Sequence, residues 1–120
     1  MAPRPWQAAV ADGALVVVFA AIGRASHDET NPVVGAVLTA WPFLVGAGVG
    51  WALVRWRSRA WPLTLGHGIP VWACAVVVGM LLRAAIGQGT AFSFMVVTTL
   101  VLGLFLLGWR ALAARFLRRA

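Results

Sequence analysis

The sequence contains no lysine and no tyrosine, one cysteine, and three acidic residues. Each scarcity removes a class of protein. A single thiol, Cys74, can make neither an intrachain disulfide nor a cysteine-based metal site. Its place inside an apolar run makes it a small packing residue. With Asp12, Asp28 and Glu29 as the only carboxylates, no paired-carboxylate cleft can be drawn. There is no serine nucleophile motif and no histidine pair at metal-ligand spacing, so the chain is read as no enzyme, with no metal and no cofactor. Charged residues make up 11% of the chain, against roughly a quarter in a soluble domain. That is too few for a surface that faces water on all sides.

Apolar residues account for 62% of the 120 positions, and they fall into four runs. Each approaches the ~20 residues that a helix needs to cross a bilayer. The expected spans are about 8–23, 33–54, 63–87 and 91–109, which consume the chain and leave a single domain, 1–120. The expected fold is all-α, an integral membrane four-helix transmembrane bundle. A basic start and a short apolar run also suggest a signal peptide, but Asp12 interrupts the run and no small-residue cleavage site follows.

All ten basic residues are arginines, and the formal charge is +7. They cluster at the ends of apolar runs rather than striping a helix, which points to membrane anchoring and away from nucleic acid. Connections must alternate across the bilayer. One side therefore receives Arg4, Arg55, Arg57, Arg59, Arg110, Arg115, Arg118 and Arg119, and the other Arg24 and Arg83. Short loops follow the positive-inside bias, so both termini are expected in the cytoplasm and the protein in the cell (cytoplasmic) membrane, multi-pass. Arg55, Arg57, Arg59, Arg115, Arg118 and Arg119 form a lipid-facing basic anchor. Trp6, Trp56, Trp61 and Trp109 fall at the same boundary, where indole suits the headgroup layer.

Pro42 interrupts the second span and removes one backbone hydrogen bond, which membrane helices tolerate when a neighbour satisfies the freed carbonyl. Gly46 and Gly50 stand four apart, a spacing that allows close helix approach, within the chain or between copies. Thr98 and Thr99 are expected to bond back to carbonyls of their own helix.

Ionisable groups inside a membrane are functional candidates by default. Arg24, His27, Asp28, Glu29 and Arg83 reach the outer level and are expected to form a polar cluster at the mouth of the bundle. Asp12 and His67 lie about one turn inside the opposite boundary, on helices one and three. A carboxylate beside an imidazole there would make an inner pair able to relay protons. One haem cannot join His27 to His67, because about 30 Å of hydrocarbon separates their levels.

Gly23-Arg24-Ala25-Ser26-His27 closes the first span, Gly79-Met80-Leu81-Leu82-Arg83 the third, and Gly108-Trp109-Arg110 the fourth. In that order these elements resemble the small membrane proteins grouped as domain of unknown function 3054. The resemblance implies four spans and an emphasis on Arg24, His27 and Arg83; it carries no activity. The expected function is a small transporter or channel-like protein built around the outer cluster. The alternative is a non-catalytic membrane subunit or scaffold that binds a partner protein or anionic lipid. Expected partners are membrane lipids, with a homo-oligomer or a membrane protein partner, and no nucleic acid.

Overall fold

Proline opens the first two helices, where its missing N–H is one of the donors without an intrahelical partner and its fixed φ suits the first turn. A computed structural model describes residues 3–25 and 32–119. It has four helices: α1 (Pro5–Ala25), α2 (Pro32–Ser58), α3 (Leu65–Ala85) and α4 (Phe92–Arg119). Each is long and apolar enough to cross a membrane, and no strand occurs among the described residues. The fold is therefore the all-α four-helix bundle expected.

The helix ends are chemically specified. At the start of α1, Gln7 reaches back to accept from the Arg4 backbone N–H at 3.0 Å, half of a capping box. Thr64 caps α3, its side chain accepting from the His67 N–H at 3.2 Å. The same helix ends at Gly87, φ +79°, a left-handed conformation that glycine adopts freely. Gly87 N donates to Ala84 O and Gln88 N to Arg83 O, the two bonds of a Schellman motif.

The helices form a closed ring: α1 against α2, α2 against α3, α3 against α4, and α4 back against α1, with no close backbone approach across the diagonals among the described residues. The tightest wall is α2 on α3. A Cβ at Gly46 would stand 2.6 Å from the Cys74 carbonyl oxygen, and one at Gly50 2.6 Å from Val71 Cα. Real side chains never sit that close, so glycine is required at both. The Gly-x-x-x-Gly pair thus serves packing within the chain.

Inside the ring, the half furthest from the arginine-rich end is filled by aromatic rings. Phe19 of α1 meets Phe43 of α2 edge-on, with centroids 5.6 Å apart. Phe94 of α4 closes the trio at 6.4 and 6.3 Å. Gly79 makes room for the Phe43 ring. Pro42 leaves the Leu38 carbonyl without its helical donor, and Gln88 Nε2 from the α3–α4 connection donates to that oxygen at 3.3 Å. A neighbour thus satisfies the freed group, as membrane helices require.

Candidate functional site: a buried aspartate–arginine pair

At the arginine-rich end the interior turns polar. Asp12 lies on the α1 stripe Ala8, Asp12, Val16 and Ala20, all buried, because positions four apart share a helix face. Arg110 ends the corresponding α4 stripe after Thr98, Leu102 and Leu106, also buried. The two inward faces bring together residues far apart in sequence. Arg110 Nη1 donates to Asp12 Oδ1 at 2.8 Å and Nη2 to Oδ2 at 2.7 Å, a fork-to-fork pair. Asp12 is 2% exposed and Arg110 1%.

Two indoles complete the carboxylate's partners. Trp51 Nε1 of α2 donates to Oδ2 at 2.8 Å, and Trp109 Nε1 of α4 to Oδ1 at 2.7 Å. On the cationic side, Arg110 Nε and Nη2 donate to the Pro62 carbonyl at 3.1 and 2.8 Å. Nη1 also donates to Leu106 O at 2.9 Å. Every N–H of the guanidinium is thereby used, and each carboxylate oxygen accepts twice. Gly68 of α3 provides the space: a Cβ there would lie 2.5 Å from Arg110 Cδ. One network therefore involves α1, α2, α4 and the α2–α3 connection, with α3 packed against it.

Burying two charges is costly unless they are paired and their remaining hydrogen-bonding capacity is met. Both conditions hold here. The chemistry open to the pair is correspondingly narrow. Guanidinium and indole N–H groups are donors only, so no neighbour of Asp12 in this network can take a proton onward. The arrangement is a clasp.

The inner pair expected from the sequence is not what the structure brings together. Asp12 takes Arg110, whereas His67 Nδ1 is buried without a hydrogen-bond partner. Trp109 likewise turns its N–H inward rather than to the headgroup layer, and Thr98 Oγ1 is buried with no partner. Thr99 does bond back, to Met95 O at 2.7 Å. For Trp109 and Arg110 the reason is that α4 runs on to Arg119 as one helix, so that Arg110, read as lying beyond the span, and Trp109 at its edge both reach Asp12 inside the bundle.

Of the outer cluster, His27, Asp28 and Glu29 lie outside the described residues, and Arg24 sits in the last turn of α1. Arg83 holds its own connection, donating to Gln88 Oε1 at 2.7 Å and to Gly89 O at 3.1 and 2.8 Å. Its guanidinium lies 4.4 Å above the Phe94 ring. Of the basic anchor, Arg55, Arg57, Arg59 and Arg115 are exposed, and Arg118 and Arg119 close α4.

Fold and site define a four-helix bundle of the multi-pass membrane kind, clasped at one end by a buried ion pair. Residues 9–113 match the family described as Protein of unknown function (DUF3054), and the chain belongs to that family. The matched stretch contains Asp12, Trp51, Trp109 and Arg110. No curated protein and no solved structure matches the chain.

Proposed function

We propose that this protein is a non-catalytic, non-conducting subunit or scaffold of the cytoplasmic membrane, with its arginine-rich end and both termini in the cytoplasm. The observation that carries the reading is the saturation of the Asp12–Arg110 network. A solute path needs polar groups able to exchange partners, and the two buried charges among the described residues are fully engaged with each other and with the helices around them. Beyond them the Phe19, Phe43 and Phe94 rings fill the ring of helices. Exposed arginines at one end give the protein a surface for anionic partners, and the positive-inside bias directs that end to the cytoplasm.

Transport is the first expectation from the sequence, through Arg24, His27, Asp28, Glu29 and Arg83, with the scaffold as its alternative. Arg83 supports it least, since its guanidinium braces the α3–α4 connection. Proteoliposomes separate the two. Vesicles loaded with a chloride-sensitive or pH-sensitive dye are expected to leak no faster with the protein than without it. Leak that appears with the protein and disappears in Arg83→Gln would overturn the reading.

A further inference from the structure

The α2–α3 connection joins three features that the fold alone does not require. The first is an arginine at positive φ. Arg59 directly follows α2 at φ 57°, donating its N–H to Arg55 O at 2.9 Å. Glycine takes this conformation without cost, and a side chain does not. Strain of this kind, once observed, is a reason to look for what the side chain does.

The second is a brace. Arg55 does not point freely into solvent: its guanidinium lies 4.5 Å over the Trp61 ring, and Nη1 donates to the Arg59 carbonyl at 2.6 Å. Trp61 in turn packs on Trp51, with centroids 6.1 Å apart, and Trp51 is bonded to Asp12. The shape of the connection is thus continuous with the buried clasp. The third is unmatched charge beside an exposed indole. Arg57 and Arg59 are exposed, with no hydrogen bond to either guanidinium among the described residues, and Trp56 is 77% exposed. The one acidic residue among the described ones, Asp12, is paired with Arg110.

We infer that this connection is a built site for the phosphate headgroup of an anionic phospholipid. The inference rests on the proposed scaffold reading and names the ligand class of its basic end. Arg57 and Arg59 supply the charge, since guanidinium matches phosphate oxygens in a planar fork. Trp56 lies at the headgroup boundary, where an amphipathic ring is favoured. Arg55 and Trp61 are positioning residues that hold Arg59 in its left-handed turn. The location argues for lipid over a soluble polyanion: the patch sits where two membrane-length apolar helices end.

The test is tryptophan quenching in phosphatidylcholine vesicles containing a minority of either brominated phosphatidylglycerol or brominated phosphatidylcholine. The Trp56 contribution is taken as the difference from Trp56→Phe. The full chain is expected to be quenched preferentially by the anionic lipid. Arg57→Gln and Arg59→Gly should each weaken that preference about fivefold, the equivalent of ~1 kcal/mol per basic residue near a membrane surface. Arg59→Gly relieves the strained turn, so its thermal stability should be unchanged or higher, which separates lost binding from lost folding. Trp61→Ala should weaken the preference without removing charge, whereas Arg115→Gln, elsewhere in the basic anchor, should weaken it far less than Arg59→Gly does. Equal quenching by both lipids, or an Arg115→Gln loss as large as that of Arg59→Gly, would overturn the site in favour of diffuse attraction. Suppression by inorganic phosphate, or by a soluble polyanion such as an oligonucleotide, would reassign it to that ligand. Dye leakage is read independently, so a leaking protein would sink the scaffold reading while leaving this result interpretable.

Discussion

Four donors converge on the Asp12 carboxylate, and they do not contribute equally. Arg110 neutralises the charge; Trp51 and Trp109 complete the acceptor sites that the arginine cannot reach. A hydrogen bond to a charged group contributes about 1.5–3 kcal/mol. Trp51→Phe and Trp109→Phe keep the aromatic bulk and remove only the N–H, so each is expected to cost stability in that range. Thermal or denaturant unfolding in detergent reads the loss, and variants within about 0.5 kcal/mol of the parent would show that the indoles only fill space. The sequence did show at residue scale that Asp12 needed a reason to be in lipid. What it hid was the partner. Arg110 is one of eight arginines at the same boundary, and counting charges for topology treats every one of them as an anchor. The absence of a side chain at Gly68 is a signal that could have pointed to a large group docking there, once α3 and α4 are placed side by side.

Between helices, small residues decide the geometry. Gly46 and Gly50 of α2 lie on the α3 backbone, whereas Gly48 faces open space, and a methyl added there would meet nothing within 4 Å. Overpacking a close contact costs about 1–3 kcal/mol or more. Gly46→Val and Gly50→Val should therefore each lower the unfolding midpoint in detergent markedly, and Gly48→Val should be tolerated. Equal effects at all three positions would mean that the helices do not approach as described. The elements themselves were legible in the sequence, because length and apolarity alone identify a membrane-spanning helix. The close approach was legible as a spacing, Gly46 to Gly50, although the partner surface, Val71, Cys74 and Ala75, was not. Pro42 was readable as a lost hydrogen bond; that Gln88 would supply it depends on how the α3–α4 connection folds over α2. The end of α4 was misplaced because Arg110 looks like a terminus in a hydropathy pattern, while a helix can carry a charge inward when a counter-charge meets it.

Across the whole molecule, the ring of four helices needs its last member joined to its first. α4 contributes the least buried span of the four, and its arginine-rich end meets α1 through Asp12, with Arg110 also held by the Pro62 carbonyl of the α2–α3 connection. Removing one partner of a buried pair costs about 3–5 kcal/mol, because it strands the other charge, whereas replacing both with apolar residues of similar size is often neutral. A double-mutant cycle on unfolding in detergent tests this directly, using Asp12→Leu, Arg110→Met and the two combined. The clasp predicts that each single variant is severely destabilised and that the double variant recovers most of the loss, so that the coupling between the two sites exceeds the cost of either single change. Single effects that simply add, with a double variant worse than either, would contradict it.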